Sequence, residues 1–562
     1  MDIQNKKFDF NQVLITSTLF LILFFFYIYN LDADPSIIKR YGDISDEGYW
    51  LHEARFKNLF PKNHSLDELK MSSFGAPLFN KATEIIYNFF GVSFFSSRLI
   101  SIISLWLTVI LVFNILKNKI SYKKALIYSF LFGLTHEILI YGKLAMPLML
   151  QNLFFVLSIY LFELKSKYSI KHFFVGASVG FAILSKISGY YFFFVFFFFY
   201  IYLVFKKKIN YKLFSFYLIG CIFTLSPHLK MLVIDNLNEF RFMMSNMADG
   251  GLISDLIENG GVDNFFSKIT INQLTFFLQI STFKSPGTII ILAGVLIFSY
   301  NNLIENYEEK SLQNLKKFCQ IWIIVNVLLL VITNQIHIHH RTVGLFIPFF
   351  LYFIILIENK SFNQINHKIN KLKKVIFLII ISIIISYYVS GMIGAAGRTY
   401  LNFDKYIFFL ETSNKIRFLI ILPIITLTNY ILLLINTGKL KKMFLIVFFL
   451  NNLILNFILY YSPSYSIRDT SRTLTEKIKP LKPKYIYGVE SYLYSLENSL
   501  IPIWNFDSEL NSQIIKNSKK EGVIYVSKKK INSNSKLLFT GNIMYNKVIN
   551  KYHKKIYFYY YK

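Results

Sequence analysis

The chain has 562 residues, of which 54% are hydrophobic and only 17% charged, with a mean hydropathy of +0.43. A soluble protein of this size keeps roughly a quarter of its residues charged, so the composition points to an integral membrane protein. The formal charge of +29 does not indicate nucleic acid: the lysines fall in short clusters between apolar blocks and do not gather on one face among stacking aromatics.

Apolar blocks of the length that crosses hydrocarbon as a helix, about 17–25 residues, fall near 13–30, 94–116, 125–141, 147–163, 173–189, 190–205, 213–232, 287–303, 318–335, 343–358, 375–393, 416–437 and 443–461. They predict a polytopic α-helical membrane protein of about thirteen spans. The first block follows Lys6 and Lys7 and has no small-residue cleavage site after it, so it reads as a retained helix rather than a signal peptide. Both cysteines, Cys221 and Cys319, lie inside apolar blocks, which argues against a disulfide framework or a cysteine metal site. If the spans alternate, the lysine clusters at 6–7, 117–124, 165–171, 206–212, 310–317, 360–374 and 439–442 all share one side. The loops near 31–93, 142–146, 233–286, 336–342 and 394–415 are poorer in lysine. The positive-inside rule then makes the N-terminus cytoplasmic and the C-terminus external. A composition rich in Lys, Asn, Ile and Phe suits an AT-rich bacterial genome, hence an inner membrane.

Three external segments are too long to be turns. Residues 31–93 carry the densest polar stretch, Tyr41 to Arg55. Residues 233–286 are expected to lie along the interface as short amphipathic helices. After 461 the spans stop, and β-type alternation at 484–489 and 522–527 predicts a small external α/β domain over 462–562, following a transmembrane module over 1–461.

Within 41–55, Asp43, Ser45, Asp46 and Glu47 suit the first turn of an interfacial helix running through Trp50, Ala54 and Leu59. Alternatively, one carboxylate faces a water-accessible cavity and acts as a base. Both readings hold together if Glu47 caps and Asp46 reacts. Tyr49 and Arg55 share the stretch and are further candidates. Near 337–342, the histidines His337, His339 and His340 admit a metal reading weakened by the lack of a matching carboxylate or cysteine. They also admit contact with lipid headgroups or anion binding, for which Arg341 is a forked permanent cation. Gly176 and Gly180 permit close helix packing. Lys186, at the external end of that helix, either snorkels or enters a cavity.

Asp46-Glu47-Gly48-Tyr49, just outside the first span and eight residues before Ala54-Arg55, resembles the Asp-Glu motif of the GT-C glycosyltransferases. It is most similar to their protein-O-mannosyltransferase and aminoarabinose-transferase group. Gly176-x-x-x-Gly180-x-Ala182-x-Leu184-Ser185-Lys186 resembles that group's G-x-x-x-G-x-A-x-L-T/S-K helix. His340-Arg341-Thr342 leading into Leu345-Phe346-Ile347-Pro348 resembles its late R-Y-x-x-P-x-x-P helix. Tyr465 to Ser471, followed by Gly488-Val489-Glu490, resembles the external domain of bacterial members.

The resemblance implies a transferase that takes a polyprenyl-phosphate-linked sugar as co-substrate, inverts it and works on the external face. It implies Asp46, with Glu47 beside it, as the catalytic carboxylates, and Arg341, Lys186 and His340 as the groups that hold phosphate. The acceptor is a hydroxyl on a glycolipid, polysaccharide or protein. Two departures stand out. The external turn 141–148 has no second acid, with His136 and Glu137 earlier in the chain as candidates, and Thr342 replaces the usual tyrosine. One carboxylate suffices to deprotonate a hydroxyl, and a phosphate leaving group needs cations rather than a proton donor. No metal is therefore compulsory, and a divalent ion stays open. A flippase for lipid-linked glycans is the rival reading, although it would favour internal repeats and mid-span polar residues. A non-catalytic scaffold leaves the Asp-Glu motif unexplained.

Overall fold

Residues 10–34, 45–60, 75–164, 168–235, 286–304, 310–332, 343–358, 371–396, 414–434, 437–461, 463–488, 490–503, 522–531, 536–544 and 553–561 are described by the computed structural model. An apolar chain without water around it must close its backbone hydrogen bonds internally, and helices do this most locally. The chain accordingly forms α1 Phe10–Ile28, α2 Ser45–Leu59, α3 Pro77–Phe90, α4 Phe94–Lys117, α5 Tyr122–Gly133, α6 His136–Gly142, α7 Leu148–Glu163 and α8 Ile170–Ser185. It continues with α9 Tyr190–Phe205, α10 Tyr211–Leu229, α11 Pro286–Ile304, α12 Lys310–Ile332, α13 Phe346–Glu358, α14 Lys371–Ala396, α15 Asn414–Leu434 and α16 Thr437–Tyr461. Among the described residues, six helices are long and apolar enough to cross a membrane, or seven if α5 and α6 form one bent span. Shorter apolar helices accompany them. The expected interfacial segment over 233–286 lies almost wholly outside the described residues.

The block at 125–141 is not one straight span: α5 and α6 meet at 61°. The bend has identifiable partners. Tyr27 Oη donates to the Gly133 carbonyl (2.7 Å), Asn456 Nδ2 to the Leu134 carbonyl (2.7 Å), and the His136 amide to Asn452 Oδ1 (2.8 Å). A broken helix in apolar surroundings leaves backbone groups whose desolvation is costly, and α1 and α16 satisfy them here. The adjoining blocks at 173–189 and 190–205 are separated at Lys186, where a 3-10 turn, Ile187–Gly189, links α8 to α9.

The glycines of α8 do bring helices together. A Cβ on Gly176 would stand 2.0 Å from the Tyr217 carbonyl of α10, and one on Gly180 would stand 2.7 Å from Thr224 Cβ. Gly220 of α10 answers from the other side, 2.1 Å from the Phe173 carbonyl. Only a bare backbone fits at this crossing. Gly176→Val is expected to force α8 and α10 apart, seen as a large fall in melting temperature in detergent, whereas Phe174→Val at an exposed position of the same helix changes it little.

After Tyr461 come α17 Ser466–Ile478, β1 Tyr485–Gly488, α18 Ser491–Tyr494, β2 Ile501–Ile503, β3 Val523–Ser527, β4 Lys536–Met544 and β5 His553–Tyr561. The five strands form one sheet in the order β2-β1-β3-β5-β4. β1 is parallel to β2 and β3, and β5 is antiparallel to β3 and β4. Ile486, Ile524, Val526 and Phe558 are fully buried, as is Leu474 of α17.

This unit is fastened to α2. Arg55 is buried and donates from Nε to the Leu496 carbonyl (3.1 Å) and from Nη2 to those of Asn498 (2.6 Å) and Leu500 (2.9 Å). Gly48 lets α2 touch the backbone of α18, since a Cβ there would stand 2.6 Å from the Tyr492 carbonyl carbon. Arg55→Met is expected to weaken this attachment by about 3 kcal/mol or more, seen as earlier proteolytic release of the C-terminal unit from an intact helical part.

Candidate active site

The organising element is α2. Its first turn holds Asp46 and Glu47, which suit the positive end of a helix, and Trp50, Leu51 and Ala54 turn into the core. Glu47 reaches beyond its own helix. Its carboxylate accepts from Arg98 Nε and Nη2, both at 2.8 Å, and from the Ala145 amide at 2.7 Å. Arg98 Nη1 in turn donates to the carbonyls of Leu31 (2.9 Å) and Ala33 (2.5 Å). Both side chains of the pair are about 3% exposed or less. A bidentate, desolvated arginine–carboxylate pair with its remaining donors satisfied is a geometrically specific joint. It draws together the exit of α1, the start of α2, the start of α4 and the α6–α7 turn, and so fixes the backbone at Asp46.

Lys186 arrives from a distant part of the chain. Where α8 ends, its side chain is buried, and Nζ lies 5.5 Å from the centroid of the Trp50 ring. Gln151 Nε2 donates to its carbonyl at 3.2 Å. Trp50 is one helical turn beyond Asp46, so the α8 cation and the α2 acid motif meet in one region. Tyr49 packs its ring edgewise on Trp50 (5.1 Å) and on Tyr492 (6.4 Å).

His52 is buried edge-on against Tyr492, with ring centroids 4.7 Å apart. Burial, and then the charge of Arg55, hold its pKa well below the usual 6.5. A base with a depressed folded pKa binds fewer protons folded than unfolded, so stability is complete above the unfolded value near 6.5 and is lost as pH falls below it. His52→Phe, which keeps the edge-to-face contact, is expected to flatten the decline in melting temperature between about pH 6.5 and 5.

His136 and Glu137 sit at the α5–α6 bend. Asn456 uses its amide nitrogen on Leu134, so its Oδ1 accepts from His136 Nδ1 at 3.0 Å. Glu137 is fully buried, with its carboxylate about 3.0 Å from where a Cβ on Gly287 would stand. Asp43, His337, His339, His340, Arg341 and Thr342 lie outside the described residues, and the same holds for the side chain of Asp46. Among the described residues, no group of three or more His, Cys, Asp or Glu could hold a metal ion.

Two cations of this region were not among the sequence candidates. One is Arg98. The other is Lys143, whose Nζ donates to the Tyr29 carbonyl (2.6 Å) and stands 4.2 Å from the Tyr460 ring centroid. The available signal was a cation at the edge of an apolar block on the lysine-poor side of the alternation.

A family model described as dolichyl-phosphate-mannose-protein mannosyltransferase matches residues 75–230. That stretch carries Arg98, Lys143, Ala145 and Lys186 and leaves α2 outside. ArnT from Cupriavidus metallidurans in the apo state is similar in structure, with a TM-score of 0.54 and 11% identity over 98% of this chain and 97% of that one. ArnT bound to undecaprenyl phosphate gives 0.51 and 11%, over 97% of each chain. The fold is GT-C-like. No curated protein matches the sequence. In this GT-C-like frame, the apolar helices make the chain an integral membrane protein, and the joint around Glu47 lies where the segment after α1 meets the helices.

Proposed function

We propose that the chain is a membrane glycosyltransferase that moves a sugar from a polyprenyl-phosphate donor to a hydroxyl acceptor on the external face of the membrane, with inversion. The observation that carries this reading is the convergence on α2: Glu47 locked by Arg98 and the Ala145 amide fixes the Asp46 backbone, and Lys186 is held against Trp50 one turn away. The family-model match and the likeness to ArnT, one structure of which holds undecaprenyl phosphate, support the same class.

In this mechanism Asp46 accepts the proton of the acceptor hydroxyl as that oxygen attacks the anomeric carbon. The bond from that carbon to the phosphate oxygen breaks, and polyprenyl phosphate leaves as an anion that needs no proton. Lys186, Arg341 and His340 hold the phosphate and stabilise the charge that develops on it. A single displacement inverts the carbon. The N-terminus is cytoplasmic and the C-terminal unit external, in a bacterial inner membrane.

Lys186→Met keeps the apolar stem and removes the charge. It is expected to lower kcat/KM for donor by about 10²–10³-fold, with part of the loss recovered in Lys186→Arg. In sealed liposomes carrying a labelled polyprenyl-phosphate sugar and a crude acceptor extract, the reading predicts release of free polyprenyl phosphate. Labelled lipid crossing the bilayer without release would instead make the protein a flippase.

A further inference from the structure

A cleft of about 340 Å³ opens between α17 and β4. Its walls carry the hydroxyls of Thr470, Thr473 and Thr540, the amide of Asn542, the carboxylate of Asp469 and the rings of Tyr465 and Phe539. The volume lies at the lower end of small-molecule sites. The chemistry of the walls narrows what could enter. Among the described residues no cation lines the cleft, and the guanidinium beside it, that of Arg468, is taken up by Asp32, Asp469 and the Tyr465 ring, which disfavours a phosphate; two aromatic rings, Tyr465 and Phe539, are its large apolar surfaces, too little for a lipid chain. Hydroxyls, an amide and a carboxylate around aromatic rings match a neutral polyol, whose C–H face lies on the Phe539 ring while its hydroxyls reach the polar walls.

The cleft is built rather than incidental. Phe539 is held by parallel stacking on Phe558, with centroids 4.5 Å apart and planes 3° apart. Gly541 brings β4 against α17, since a Cβ there would stand 2.8 Å from Thr470 Cγ2. The cleft is also joined to the candidate active site. Ser464 and Ser466, at its edge, donate from Oγ to Asp34 Oδ2 at 3.0 and 2.8 Å, and the Ile467 amide donates to the same carboxylate. Asp34 adjoins Ala33, whose carbonyl accepts from the arginine that locks Glu47.

We propose that this cleft binds a neutral saccharide, and that it receives the sugar portion of the acceptor. The binding itself is independent of the function proposed above, whereas the assignment to the acceptor rests on that reading. The test uses the purified full chain in nanodiscs on an array of neutral hexose and N-acetylhexosamine oligosaccharides, beside unglycosylated Ser/Thr-rich peptides. Thr540→Trp fills the cleft from an exposed strand position, Asn542→Ala removes an amide, and an unchanged melting temperature verifies the fold of each. Wild-type binding to neutral glycans that falls at least about tenfold in Thr540→Trp and weakens in Asn542→Ala, a loss of about 1.4 kcal/mol in the first case, supports the proposal. No bound glycan, equal binding in the variants, or preference for the peptides overturns it. Glycan binding by wild type without any donor cleavage would uphold the cleft and sink the transferase reading, so the two failures are separable.

Discussion

Asp46→Asn is expected to lower release of polyprenyl phosphate by about 10²–10⁴-fold while leaving the protein folded. Asp46 is the second residue of α2, where losing its charge at the helix N-terminus costs only about 0.3–1 kcal/mol, and the backbone there is fixed by its neighbour: Glu47 keeps both bonds to Arg98 and the bond from the Ala145 amide. What the substitution removes is a group able to take a proton at neutral pH. The loss should therefore appear in kcat with little change in melting temperature or in retention of donor. A variant that retained full turnover would assign the base elsewhere.

Arg98→Met is expected to have the largest effect on stability, about 3–5 kcal/mol. It strands a buried carboxylate with one remaining donor, the Ala145 amide, and frees the carbonyls of Leu31 and Ala33. The double replacement Glu47→Leu/Arg98→Met removes both charges together. Because well-packed apolar side chains often replace a buried pair without loss, it is expected to recover most of the melting temperature. Transfer should stay low in both, since without the joint the α6–α7 turn and the start of α2 are no longer tied. Arg98→Met melting like wild type would show that the joint does not hold the site together.

Much of the frame was legible because span-forming helices are specified by composition over about twenty residues, which needs no knowledge of partners. The same holds for the strands at Tyr485–Gly488 and Val523–Ser527, marked by alternation within a few residues. That Gly176 and Gly180 permit close helix packing was readable for a similar reason, because small residues at that spacing have one main structural use, although the partner, α10, was not. The bend after Gly133 was not, since it depends on Asn452 and Asn456 more than three hundred positions away. The role of Glu47 was half-visible. Its place in a first turn could be read locally, but its pairing with Arg98 required the start of α4 to lie beside α2. Arg55 illustrates the limit from the other side: an arginine in a polar stretch was a candidate for chemistry, and the structure places it on three carbonyls of the C-terminal unit.

The most direct measurement compares wild type, Asp46→Asn and Lys186→Met in liposomes supplied with a panel of polyprenyl-phosphate sugars and a crude acceptor extract, following free polyprenyl phosphate. The account predicts release by wild type from at least one donor, near-complete loss in Asp46→Asn, and a loss in Lys186→Met that higher donor concentration partly offsets. Equal release by wild type and Asp46→Asn, or none from any donor, would contradict it.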